Sequence, residues 1–196
     1  FSKVTQAFID LQVVLQGAEI DNAADKFEKL RITLTQSEGS VQGAERALSE
    51  LYRIAQSASV PIEAMTVSYQ RYTRAVAAMG GSQQEALDFT EALAKALRLS
   101  NATAQETGSV MRQLSQAFNK GKLNGDEFVS VSENGGRVLD YLARQIGKSR
   151  GELQEMSKAG ALTDKVLLQL GKALEKIRGD FDVLPKNFSD AWVNFR

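Results

Sequence analysis

The amino-acid sequence predicts an all-α protein, an irregular bundle of about eight to ten helices, several of them short. Three observations carry this. Only two prolines, Pro61 and Pro185, interrupt 196 residues, and Ala, Gln, Glu, Lys, Arg and Leu dominate, residue types that lose little freedom in a helix. Apolar residues return at spacings of three and four along most of the chain, the period of one helix face. Cap residues followed by glutamate three positions later recur ahead of such runs, at Ser82/Glu85, Asn124/Glu127 and Ser149/Glu152. In that spacing each side chain takes up a backbone donor left unpaired at a helix start. No repeat of fixed period emerges, so the frequent stops argue for compact stacking rather than one long coiled coil.

In chain order, Val4, Phe8, Leu11 and Leu15 form the first apolar stripe. Ala24, Phe27 and Leu30 continue it beyond Gly17, consistent with one helix reaching about residue 31. Residues 30–36 then alternate, Leu30, Ile32 and Leu34 against Arg31, Thr33 and Thr35. Alternation is a strand signal, yet no convincing partner strand exists, which leaves a short extended segment or a frayed helix end. After the turn at Ser37-Glu38-Gly39-Ser40, a helical period returns in Ala44, Ala47, Leu48, Leu51, Ile54 and Ala55. Pro61 sits in the first turn of the next helix, where its missing N–H costs nothing. Met65, Tyr69, Tyr72 and Val76 form the buried face there, and Gly80-Gly81 ends it. The Ser82 box opens a helix to about Leu99 with Leu87, Ala94 and Leu97 inward.

A further helix carries Val110, Leu114, Ala117 and Phe118 and stops near Gly121. Short helices follow from Asn124, after the break at Gly135-Gly136, and from Ser149, with stops at Gly147 and Gly160. Thr163 opens the last clear helix, with Val166, Leu167, Leu170 and Leu174 inward, and a tail beyond Gly179 restarts near Pro185. The chain thus divides into an amino-terminal helical arm (1–31), a globular helical domain (32–178) and a carboxy-terminal helical segment (179–196). Phe1 is not an initiator methionine, so the chain reads as a piece of a longer protein or a processed product.

Composition excludes most chemistry. There is no cysteine and no histidine, which removes disulfides, thiolate nucleophiles, Ser-His-Asp relays and the common zinc and haem ligand sets. We expect no catalytic residues, no metal site and no cofactor. Basic and acidic residues balance at 24 each, whereas nucleic-acid binders carry a basic excess. No apolar run approaches the roughly 18–20 residues that span a bilayer.

Several local patterns invite a sharper reading and fail on spacing. Asn124-Gly125-Asp126-Glu127 lacks the ligand series of a calcium loop, and helix capping explains it. Glu127 and Glu133 are six residues apart and point in different directions on a helix. Gly121-Lys122 lacks the upstream glycine and following hydroxyl of a phosphate loop. The strongest rival is a helix-turn-helix-like DNA-binding or regulatory domain in residues 137–178. There nine basic residues (Arg137, Arg144, Lys148, Arg150, Lys158, Lys165, Lys172, Lys176, Arg178) face five acidic ones (Asp140, Glu152, Glu155, Asp164, Glu175), a surplus of four. Its third helix has little that reads base edges. The aromatics Tyr69, Tyr72, Phe89, Phe118, Phe128 and Tyr141 fall at apolar positions and read as core. The end stripes, Phe8, Leu11 and Leu15 and then Phe188, Trp192 and Phe195, are the candidate partner contacts.

One ordered set of positions is more specific. It begins with Gln113, Leu114, Gln116, Gly121, Leu123, Gly125, Glu127 and Phe128, followed by Glu133. It continues through Leu142, Ala143, Gly147, Ser149, Glu152 and Leu153 to Gly160, Leu162 and Thr163. The set resembles the tape-measure domain of long-tailed phage and prophage proteins, over roughly residues 28–178. One departure is Gly135-Gly136, where relatives often carry a proline. The resemblance implies a structural scaffold and not an enzyme: a long helical protein that sets tail length while tube subunits polymerise around it. It also implies tail-tube, tail-assembly chaperone and tail-tip partners, and several copies running together. The setting would be the host cytoplasm during assembly and then the phage tail, with no specific nucleic acid. Membrane contact would concern only the full protein during ejection.

Overall fold

The computed structural model describes residues 20–184, with side chains from Phe27 onward. The described chain is helical almost throughout. The helices are α1 (Ile20–Glu38), α2 (Val41–Ala58), α3 (Ile62–Ala78), α4 (Gln83–Leu99), α5 (Ala104–Lys120), α6 (Gly125–Asn134), α7 (Gly136–Gln145), α8 (Arg150–Lys158), α9 (Asp164–Leu167), α10 (Gln169–Lys172) and α11 (Leu174–Asp182). The last three are one helical run interrupted at Leu168 and Ala173. Among the described residues the only β-type pairing is an isolated antiparallel bridge between Lys122 and Thr163.

Residues 30–36 are helical, not extended. Phe27, Leu30 and Leu34 stand three and four residues apart and are buried, whereas Ile32 is 47% exposed. The alternation in the sequence was therefore a coincidence of one helix face with one outward isoleucine. An ion pair from Arg31 to Glu28 at 2.7 Å follows the same period on the outer surface. The helix also passes straight through Gly179, so the tail does not break there.

The middle of the fold is α4. From Phe89 to Leu97 every residue is buried, on all sides of the helix, as befits a helix with neighbours all round. α2, α3, α7, α10 and α11 all contact it. Phe89 meets Tyr72 of α3 and Phe118 of α5 in a ring cluster with centroids 4.9 and 5.2 Å away. Tyr72 itself donates to the Met111 carbonyl at 3.2 Å, which satisfies its buried hydroxyl. On the opposite side Gly171 lets α10 lie directly on α4, because a Cβ there would stand 3.2 Å from the Phe89 nitrogen.

The helix ends form largely as their cap residues dictate. Ser82/Glu85 and Ser149/Glu152 make reciprocal capping boxes. At Asn124 the backbone N–H donates to the Glu127 carboxylate at 3.0 Å. Thr103/Glu106 makes a further box of the same spacing at the start of α5.

Candidate functional site

Gly121, Leu123, Leu153, Gly160, Leu162 and Thr163 of the ordered set meet in a knot where the α5–α6 and α8–α9 junctions come together. Gly121 ends α5 in the left-handed region at φ 76°, a conformation that glycine adopts without strain. The chain then runs extended for a few residues beside 162–164. Leu123 N–H donates to the Leu162 carbonyl at 2.8 Å, and Asp164 N–H to the Gly121 carbonyl at 3.1 Å. The buried Ser157 hydroxyl donates to the Leu123 carbonyl at 2.9 Å. Leu123, Leu153 and Leu162 fill the interior beneath these bonds and are fully buried. Each glycine, leucine and serine of the knot thus ends a helix, fills the interior or satisfies a backbone group.

The carboxylates of this region do not form a catalytic pair. Glu127 is buried, accepts from Lys120 Nζ at 2.6 Å and caps α6, while Glu133 faces solvent. The Gly135-Gly136 break is a close contact: a Cβ on Gly135 would lie 2.8 Å from Leu97 Cδ2. Arg150 closes over it, donating to the Gly136 carbonyl at 3.1 Å and pairing with Asp140 at 3.2 Å.

Some of the basic residues of 137–178 pair with carboxylates within the fold, several of these pairs on the surface. Five of the nine are in ion pairs: Lys148 with Glu152, Arg150 with Asp140, Lys158 with Glu155, Lys176 with Asp180, and Arg178 with Glu91 and Glu175. α10 lies against α4 and α7, and α11 against α4, instead of standing clear as a reading helix would.

A second polar cluster was not foreseen. Glu91 of α4 is only 2% exposed, and three cations surround it. Arg178 of α11 reaches it at 2.8 Å, Arg53 of α2 at 3.0 Å, and Lys95, itself buried, at 3.1 Å. Burial alone would push the Glu91 carboxyl up, but hydrogen bonds from Arg178, Arg53 and Lys95 outweigh it and hold the group at about 2. Lys95 also lies 4.8 Å from the Phe181 ring centre, a favourable cation–π distance. The signal lay in a Glu–Lys pair four residues apart, set among the small and apolar residues of α4.

Between the α3–α4 turn and the α9–α10 run lies a groove of about 300 Å³, bordered by Met79, Glu85, Lys165, Leu168 and Lys172. Among the described residues no three His, Cys, Asp or Glu side chains gather as a metal ion would need. None of the described helices is long and apolar enough to cross a membrane. The end residues Phe8, Leu11, Leu15, Phe188, Trp192 and Phe195 lie outside the described residues.

Comparison with known families settles what kind of chain builds this knot. A family model described as "Tape measure protein" matches residues 18–196. The chain belongs to the tape measure protein family. The match takes in the whole of the 28–178 stretch that carried the resemblance, and it extends beyond it at both ends. It places the chain with structural components of phage tails. Neither a curated protein nor a solved structure matches the chain. In this tape measure segment the recurring glycines and capping pairs therefore have a physical meaning: they fix the junctions of short helices.

Proposed function

We propose that the chain is a folded structural segment of a phage or prophage tail tape measure protein, a scaffold that sets tail length as tube subunits polymerise around it. The observation that carries this reading is the family match over residues 18–196. The structure supports it in one respect: each polar cluster described above is accounted for by helix capping or ion pairing within the fold. No step of catalysis is needed, and we read the chain as a non-enzyme. Its partners are then the tail tube protein, tail-assembly chaperones and tail-tip proteins, in the host cytoplasm first and the virion tail afterwards. Any membrane contact belongs to the full protein during ejection.

The end stripes are the proposed partner contacts. Phe8, Leu11 and Leu15, with Phe188, Trp192 and Phe195, would pair with another copy or with the sequence flanking them in the full protein. Light scattering should show self-association at high concentration, weakened by Phe8→Asp or Trp192→Asp. A strictly monomeric protein across that range contradicts pairing through these ends. The DNA-binding reading predicts a sequence-dependent, salt-resistant mobility shift with duplex DNA. We expect none, because five of the nine cations in 137–178 already have acidic partners in the fold. Detection of the segment inside purified tails, by an antibody that reacts only after the tail is opened, would support the scaffold reading. Its absence from tails would exclude it.

A further inference from the structure

The described chain enters and leaves the bundle at the same end. Gln83, at the start of α4, donates to the Gly43 carbonyl near the start of α2 at 3.1 Å. Further along, Arg53 meets Glu91, so α2 and α4 run side by side in the same direction. The final run does the same. Gly171 rests on Phe89, Arg178 reaches Glu91, and Phe181 lies beside Lys95, so α11 ends beside the last turns of α4. α1 joins α2 through the short turn at Gly39-Ser40 and packs along it in the opposite direction. At 1.5 Å per residue, Ile20 and Ala58 each lie roughly 25–27 Å from that turn, and so stand level with one another. Ile20 and Asp182 therefore share one end, while the turns at 39–40 and 79–82 form the other.

From this arrangement we infer that the domain is built to be unthreaded from its termini under low tension. Tension carried into the bundle through Ile20 and Asp182 acts on one end of it. Each terminal helix is then drawn away from its outermost turn, and only one layer of contacts carries the load at a time. In α11 those layers are, in order, Phe181 against Lys95, Asp180 accepting from the Tyr141 hydroxyl at 2.7 Å, and Arg178 on Glu91. In α1 the described buried side chains are Phe27, Leu30 and Leu34. Had the ends left from opposite poles, all these layers would have been sheared together and would have resisted jointly. The Arg178–Glu91 contact sits inward of the Phe181 and Asp180 contacts, with buried Ile177 and Leu174 further in. The biological use rests on the scaffold reading above: a folded station that opens turn by turn can follow its rod through a narrow tube. The mechanical inference rests on the contacts alone.

An optical trap tests this with the full 196-residue chain, held once by its two ends and once by residue 196 and Gln42→Cys. The chain has no other cysteine, and Gln42 is exposed beside the far turn, so that second tether loads α11 in shear. Forced opening reports the unfolding barrier along the pulled direction. The end-to-end tether should open at lower force and in several small steps, and the 42–196 tether at higher force. Arg178→Gln should lower the force at which α11 leaves in the end-to-end tether. Equal forces in the two geometries of the unaltered chain, or the reverse order, would overturn the inference. That outcome would leave the family assignment standing, because it rests on a sequence match. Normal tails assembled without the segment would instead remove the scaffold reading and leave the mechanics intact.

Discussion

Glu91→Gln is expected to destabilise the protein by about 3–5 kcal/mol, the cost of removing one partner from a buried ion pair. The substitution keeps the shape of the side chain and removes its charge. Lys95 is only 7% exposed, so it would be left with its charge buried and its counter-ion gone. Arg53 and Arg178 are more exposed and can turn toward water. Most of the loss should therefore trace to Lys95. The double substitution Glu91→Leu with Lys95→Met should recover a large part of it, since apolar replacements of buried pairs are often neutral or stabilising. A loss for Glu91→Gln within about 0.5 kcal/mol, the range of ordinary surface substitutions, would show the cluster to be ornamental.

The same cluster sets a pH dependence with a defined sign. The Glu91 carboxyl titrates at about 2 in the folded protein against 4.5 for the group in isolation. A group whose pKa is lowered on folding adds stability above its unfolded value and loses it as pH falls through the folded one. Wild type should therefore lose this contribution between pH 4.5 and about 2. Other carboxylates are lowered too, including Glu152 and Asp180, so the informative quantity is the difference between wild type and Glu91→Gln. That difference should shrink over this window. A constant difference from pH 7 to pH 2 would contradict the assignment.

Leu170→Ala and Leu142→Ala should each cost about 2–5 kcal/mol, the range for truncating a buried leucine. Both side chains are 1% exposed. Leu170 belongs to α10, which is held between α4 and α7, and Leu142 belongs to α7 on the other side of that contact. Gly171 already brings the two backbones to near their closest approach, so the helices cannot collapse into the space a missing isobutyl group leaves. The loss should therefore lie toward the upper part of the range for Leu170. Denaturant unfolding should show a shifted midpoint with an unchanged slope. A change below about 0.5 kcal/mol at either position would contradict the packing described.

Much of this fold could be read in the sequence because its signals are local. The capping pairs at Ser82 and Ser149 and the glycine stop at Gly121 act within a few residues of themselves. They need no knowledge of the rest of the chain. Leu30, Ile32 and Leu34 misled because three residues are too few to separate a period of two from a period of 3.6. The structure resolves it only through burial of Phe27 and Leu34 on the same face. Thr103/Glu106 carries the same three-residue spacing and is legible in the same way. The Glu91 cluster was hidden for a different reason: Arg178 stands 87 residues away in sequence, and a Glu–Lys pair on a helix ordinarily faces water. The knot illustrates the remaining gap. Its residues were recognised as an ordered set, yet the bonds between 121–123 and 162–164 are tertiary, and no periodicity announces them.

The central claim, that this domain is a structural part of the tail-length scaffold, is tested most directly on assembled particles. Residues 18–196 would be deleted in frame from the full tape measure gene, and tails counted and measured by negative-stain electron microscopy. The account predicts that tails either fail to form or form with a changed, still uniform length. Tails of unchanged number and length would contradict it.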